Sequence, residues 1–296
     1  MRTLRGSLLL LALFTAMVSA VSSAPQYTVT DIGSLGREFA AAFAINDRGQ
    51  VVGQSESASR EEHGFLWEDG NMSDLGVLPG GLYLSSAQDI NNEGQIVGYS
   101  HWNGTYHHAV LWEIGDMIDL GTLGGQYSEA WAINTQGQIV GQSRTASGAL
   151  HAALWENGTI TDLGTLGGPE SRAFDINDLG QVVGESDLAS GVHRAFLWEN
   201  GEMIDLGTLG GSYSSAYGIN NLGEIVGSGQ NASGRSHAVL WRAGTIVDLH
   251  PTEQFSGRAI GINDQGQIVG YHNVQVGPDP WDCLLYTSPS PRDQRP

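Results

Sequence analysis

Lysine is missing from this chain: all 13 of its basic residues are arginine. Against 32 acidic residues that leaves a formal charge of −19, although charged residues of both signs make up only 15% of the sequence. An acidic surface repels phosphate backbones and anionic headgroups, which argues against nucleic acid and acidic membranes as partners. Cysteine is nearly missing too, the single example being Cys283. A disulfide framework is therefore ruled out, even for an exported chain. No Gly-Lys-Ser/Thr phosphate loop occurs. Past residue 18 no apolar run is long enough to cross a bilayer.

One apolar run does stand at the start. Arg2 and Arg5 precede the stretch from Leu8 to Val18, and Val18-Ser19-Ala20 offers small residues at a cut site. That pattern reads as a secretory signal peptide over residues 1–20, and so as a secreted, extracellular protein. At the other end, residues 283–296 lack the alternation seen before them, and CLLYTSPSPRD can be back-translated into a string resembling a transposase adapter. The expectation is a non-native read-through tail over 283–296, with the body of the protein over 21–282. Without the two signal arginines and the tail's net +1, that body carries −22.

What the body has in abundance is glycine, 42 residues, and repetition. An Ile-Asn pair recurs at Ile45, Ile90, Ile133, Ile176, Ile219 and Ile262, with spacings of 45, 43, 43, 43 and 43. Leu-Trp follows at Trp67, Trp112, Trp155, Trp198 and Trp241, and an Asp before Leu, or before Ile in the first copy, at Asp31, Asp74, Asp119, Asp162, Asp205 and Asp248. A period in the low forties marks a repeat architecture. Each unit holds four short apolar segments parted by Gly, Asn, Asp and Ser, which reads as four strands. In the third unit these are Glu129–Ile133, Gln138–Gly141, His151–Trp155 and Thr159–Leu163.

Asn134-Thr135-Gln136-Gly137 has the chemistry of a tight turn, and its copies lack the alternating oxygens of a calcium loop. Phe43, Trp131, Phe174, Tyr217 and Ile260 share one column, broken by Gln88, and read as a buried face between units. Four strands per period predict an all-β fold, a β-propeller of about six or more four-stranded blades. A parallel β-helix is the alternative. Tyr27–Gly33 matches the fourth segment, which predicts a ring closed by an N-terminal outer strand.

The motifs His108-Ala109-Val110-Leu111-Trp112, His237-Ala238-Val239-Leu240-Trp241 and Asp205-Leu206-Gly207-Thr208-Leu209-Gly210-Gly211 resemble those of the bacterial extracellular HAF repeat family over residues 27–273. The resemblance implies an exported, propeller-like repeat protein and brings no catalytic residues with it. Arg194 departs from the His column, and His250 takes the place of the Gly after Asp-Leu.

His63, His108, His151 and His237 recur one per unit, so they suit a hydrogen-bonding role at the start of a strand better than a shared metal. The Asp of each Asp-Leu-Gly suits a cap on the glycine-rich turn after it. Neither column supplies a catalytic constellation, and no metal or cofactor is expected. Aromatic residues on the connections are the candidate ligand-binding residues: Tyr83, Tyr127, Tyr213 and Phe255 between units, Trp102 and Tyr106 between the second and third strands. Such rings stack on sugars or anchor proteins. The function expected is a non-enzymatic binding or scaffold module for a polysaccharide or an extracellular protein. The alternative is an extracellular polysaccharide hydrolase or lyase, with Glu61, Glu62 or Asp89 as its acids.

Overall fold

The computed structural model describes residues 29–104, 106–113, 115–249, 256–274 and 282–288, the last seven and residues 272–274 by backbone alone. Strands account for all the regular structure described, and they lie in one compact unit, Ile32–Pro296. Blade one is β1 (Gly36–Ile45), β2 (Val51–Ser57), β3 (Glu62–Glu68) and β4 (Asn71–Asp74). Blade two is β5 (Ser85–Ile90), β6 (Ile96–Trp102), β7 (Tyr106–Glu113) and β8 (Asp116–Asp119). Blade three is β9 (Gly124–Ile133), β10 (Ile139–Thr145), β11 (Leu150–Glu156) and β12 (Thr159–Asp162). Blade four is β13 (Gly167–Ile176), β14 (Val182–Leu188), β15 (His193–Glu199) and β16 (Glu202–Asp205). Blade five is β17 (Gly210–Ile219), β18 (Ile225–Asn231), β19 (Ser236–Arg242) and β20 (Thr245–Asp248). A sixth sheet holds β21 (Gly257–Ile262), β22 (Ile268–Val274) and β23 (Asp282–Ser288). Every sheet is an antiparallel meander in chain order, the blade pattern expected from the sequence.

The first strand of each blade touches the first strands of its neighbours, so these strands line the axis. The Asn of each turn shows why the blades stay in register. Asn134 accepts the Gln136 and Gln138 amides on its side-chain oxygen, closing a turn that ends at Gly137 with φ 77°. Its Nδ2 then donates to the Asn177 carbonyl of the next blade at 3.1 Å. Asn46, Asn91, Asn177 and Asn220 repeat that step to Asn91, Asn134, Asn220 and Asn263. One residue type thus shapes the turn and staples neighbouring blades.

Each innermost strand also carries a β-bulge, and the bulged residue is Phe43, Gln88, Trp131, Phe174, Tyr217 or Ile260. The bulge re-aims its side chain. These residues were read as buried between units, but Phe43 and Ile260 are exposed and the others half-buried. Trp131, Phe174 and Tyr217 instead form a row of rings along successive first strands, with centroids 5.1 and 5.8 Å apart. The reason is the bulge, which breaks the period-two alternation on which that reading rested. The bulge also explains a glycine column: at Gly141 a Cβ would stand 2.0 Å from the Glu129 carbonyl, and Gly53, Gly98, Gly184, Gly227 and Gly270 meet the same obstacle.

Five apolar clusters fill the five seams between successive blades. Around the third and fourth blades, Val140, Leu154 and Leu163 pack on Ala173, Ile176 and Phe196. No such cluster fills the seam between blade six and blade one among the described residues. There Ile45 is 68% exposed where Ile133 is 7%, and Val269 is 45% exposed where Val226 is fully buried. Residues 29–34 are in no strand, and the rest of the expected closing strand, Tyr27 and Thr28, lies outside the described residues. The sixth sheet ends at β23, whose backbone pairs with β22 in the place of a third strand.

Candidate functional site at the mouth of blades two and three

The His and Asp columns are partners in one network. His63, His108, His151 and His237 each place Nδ1 2.8–2.9 Å from an oxygen of Asp74, Asp119, Asp162 or Asp248 on the adjoining fourth strand. Asp74, Asp119, Asp162 and Asp205 accept the amide of the glycine two residues on, at 2.7–2.8 Å. Burial alone would raise the Asp119 carboxyl, yet the His108 and Gly121 bonds outweigh it and hold the group below its usual range. Both columns fix the outer edge of the blade, as their residue types suggested.

The axial cavity at the Asn end, about 360 Å³, is likewise walled by groups that satisfy one another. The Thr135 hydroxyl donates to Asp178 at 2.7 Å, and Asn221 donates to Asp178 and Asp264. The bonds from Thr135 and Asn221 outweigh the modest burial of the Asp178 carboxyl and hold it below its usual range.

Toward the other end of the strands, where the second strand leads to the third, one cluster belongs to no column. Tyr99 from β6, His107 from β7, Tyr127 and Glu129 from β9 and Gln142 from β10 meet across the seam of blades two and three. At the seam of blades four and five the same positions carry Glu185, His193, Tyr213, Ser215 and Ser228, so His and Tyr return there while Tyr99, Glu129 and Gln142 do not. His107 Nδ1 lies 3.1 Å from Glu129 Oε1, and Gln142 Nε2 donates to Glu129 Oε2 at 2.8 Å and to the Tyr127 hydroxyl at 3.2 Å. Trp131 Nε1 reaches the same carboxylate at 3.3 Å.

Burial would raise the Glu129 carboxyl, but its bonds with His107, Tyr127 and Gln142 more than offset that and hold it below the usual range. Glu129 is therefore an anion at neutral pH. Burial, then the Glu129 charge, pushes the Tyr99 and Tyr127 phenols above their ordinary range, so both remain neutral donors. The amide of Gln142, only 6% exposed, is oriented by Glu129, and its Oε1 has no partner among the described residues.

Rings extend the cluster along the mouth. His107 stacks on Tyr99 at 4.9 Å and touches His101 at 4.9 Å and Tyr127 at 5.9 Å. His101 in turn meets the edge of Tyr83 at 5.2 Å and hydrogen-bonds the Leu82 carbonyl. Of the aromatic residues singled out from the sequence, Tyr83 and Tyr127 thus belong to one assembly. Tyr83 sits on the connection between blades, 52% exposed and at φ 42°. Tyr127 and Tyr213 lie within strands and are half-buried. Trp102 and Tyr106 pair across their hairpin, and Trp102 stacks on His108 at 4.4 Å. Phe255 lies outside the described residues.

The acids named for a hydrolase are dispersed. Glu61 accepts the Ser59 hydroxyl and Glu62 accepts from Gln54. Asp89 is half-buried, its oxygens taken by the Ile90 and Ile133 amides at 2.8 and 2.9 Å. Burial raises its carboxyl against the pull of those amides.

His101, His107, Glu129 and Gln142 were not singled out from the sequence. The available signal was departure from the repeat, since Glu129 stands in a column with Ala41, Ser86, Arg172, Ser215 and Arg258. The 45-residue interval pointed to the same place. Asp74 to Ile90 spans two residues more than Asp119 to Ile133, and the extra length lies in the connection bearing Tyr83.

No protein-family model matches the chain, and no curated protein sequence does. Among solved structures, the chain is similar to the β-propeller domain of the Trilobed protease from Pyrococcus furiosus, described as having an open velcro topology. The TM-score is 0.57 at 10% identity over 84% of this chain and 80% of that one. It is also similar to TolB from Acinetobacter baumannii, with TM-score 0.48 and 12% identity over 81% of this chain; the match spans 64% of TolB. A further likeness, TM-score 0.41 and 13% identity over 82% of each chain, is to the BP39L lectin from Burkholderia pseudomallei. At these identities what is shared is the fold, and the chain is a β-propeller repeat protein.

Proposed function

We propose that this propeller is a binding module for a neutral saccharide, held at the mouth of the seam between blades two and three. The observation that carries the reading is the cluster of Tyr99, His107, Tyr127, Glu129 and Gln142, a set that no other seam carries whole. Stacked rings offer apolar faces to the C–H side of a sugar, and the anionic Glu129 accepts hydroxyl protons. The chain's charge of −19 and the ionised Glu129 disfavour an acidic sugar.

Binding is supported over hydrolysis. Acid–base cleavage of a glycoside requires one protonated carboxyl beside an ionised one. The carboxyls raised by burial, Asp89 and Asp175, are each bonded through both oxygens to backbone amides, and so are turned to structure. Affinity electrophoresis in gels holding cellulose derivative, xylan, mannan or starch tests the reading. One of these neutral polymers should retard the protein, and Tyr127→Ala should cut that retardation about tenfold or more. Equal migration of the two proteins in all four gels would sink it.

We further propose that the chain is an exported member of the HAF repeat family, that residues 1–20 are its signal and that 283–296 are foreign to it. Support comes from the sequence motifs and from five seams that fill without a disulfide. The open seam between Ile45 and Val269 is where Tyr27–Gly33, or further blades, would complete the ring.

A further inference from the structure

The repeat has a second, longer period. Blades two and four carry Asp89 and Asp175 where blades one and three carry Ala44 and Ala132. The same two blades carry His107 and His193 immediately before the His or Arg of the third strand. Blades three and five carry Tyr127 and Tyr213 at one position of the first strand. Each of these pairs is 86 residues apart, which is two blades.

The geometry follows the same doubling. Asp89 bridges the Ile90 amide of its own blade and the Ile133 amide of the next. Asp175 does the same with Ile176 and Ile219, at 2.9 and 2.8 Å. His107 meets Tyr127 at 5.9 Å across the seam of blades two and three. His193 meets Tyr213 at 6.1 Å across the seam of blades four and five. The intervening seam has Leu150 and Glu170 at these two positions, and the seam after blade five has Ser236 and Ser256.

A carboxylate accompanies each His–Tyr pair, though from a different strand. In the first seam it is Glu129 on β9, linked to Tyr127 through the Gln142 amide that donates to both, and facing His107 at 3.1 Å. In the second it is Glu185 on β14, which accepts the Tyr213 hydroxyl at 3.2 Å. Arg172 holds Glu185 at 3.4 Å and Glu170 at 2.7 Å, while His193 Nδ1 lies 2.5 Å from Asp187. The second cluster therefore has the same chemistry as the first: a half-buried phenol, a carboxylate that holds it, and an imidazole at the rim.

We infer that the seam between blades four and five is a second saccharide site, built on His193, Tyr213 and Glu185, and that the propeller is bivalent. This rests on the reading of the first seam as a saccharide site. The two sites lie on the same face because both are built from the same strand positions two blades apart. One polymer, or two chains of a glycan surface, would engage both and gain by avidity. Arg172 is a donor that the first seam has no counterpart for, so the two sites differ in preference as well as in place.

The test uses the full chain labelled with 3-fluorotyrosine, with the Tyr127 and Tyr213 resonances assigned from Tyr127→Phe and Tyr213→Phe. Cellohexaose, xylohexaose, mannohexaose and maltohexaose are each titrated separately and followed by fluorine NMR. The expected result is that at least one hexaose moves both resonances, each with its own midpoint. Tyr213→Ala should then abolish one binding event in calorimetry and leave Tyr127 responding. Movement of Tyr127 alone overturns the second site and leaves the first standing. Movement of Tyr213 alone overturns the first site and bivalency with it. If neither moves with any hexaose, the saccharide reading itself falls and the second site falls with it.

Discussion

The two ends of these blades follow opposite rules. At the Asn end the same residue returns six times, and the five staples it makes are nearly identical, at 3.0–3.1 Å. At the other end the His–Asp pairs recur, but the positions beside them vary: Glu129 is matched by Ala41, Ser86, Arg172, Ser215 and Arg258, and Tyr99 by Gln54, Gln142, Glu185, Ser228 and Tyr271. Repetition is what a nearest-neighbour stack needs for stability, because every seam has the same task. Departure from it has no such motive, so the irregular end is where a ligand is to be sought.

The sharpest break of that contrast is expected from Gly141→Val on the regular side. Its side chain would meet the Glu129 carbonyl at the bulge, and a loss of ~3 kcal/mol is expected in urea unfolding. Asp175→Ala should rank next, because it strips two buried amides of their acceptor, at ~2–3 kcal/mol. Asn134→Ala removes one staple and the acceptor of two turn amides, for ~1–2 kcal/mol. On the irregular side, Glu129→Gln is expected to move the melting temperature by only a few degrees while weakening saccharide retention about tenfold.

Asp175 also sets a pH dependence. Burial, opposed by the Ile219 and Ile176 amides and reinforced by the Asp89 charge, pushes its carboxyl up to about 7. A group whose pKa is raised in the fold favours folding below its unfolded pKa, and that contribution fades as pH rises through the folded value. Stability should therefore fall between about pH 4 and pH 7 from this group, and Asp175→Ala should flatten that slope in a series of melts.

Much of what repeats was legible in the sequence because its chemistry is local. A turn of the form Asn-x-x-Gly, a His opening a strand and an Asp before a glycine-rich turn each declare their role within a few residues. The bulge was not legible. Strict alternation placed Trp131 and Phe174 between blades, whereas one extra residue per strand turns them out of that face. The cluster at the mouth was legible only in part. Tyr83 and Tyr127 stood out as aromatic, but His107, Glu129 and Gln142 come from three strands that only the packed seam brings together. Glycine at position 141 reads from the sequence as the end of the second strand, while its true constraint, a carbonyl 2.0 Å from where its Cβ would stand, belongs to the neighbouring strand.

The central claim is that columns hold the ring and departures from them bind. It is tested most directly by giving the mouth of blades two and three the serines of blade five, in a Tyr99→Ser, His107→Ser and Glu129→Ser triple variant. Melting and retention on the neutral polysaccharide gels would be measured on the same preparation. The account predicts a folded propeller with its melting transition within several degrees of the parent and its retardation by the polysaccharide lost. A triple variant that folds and is retarded as strongly as the parent would contradict it.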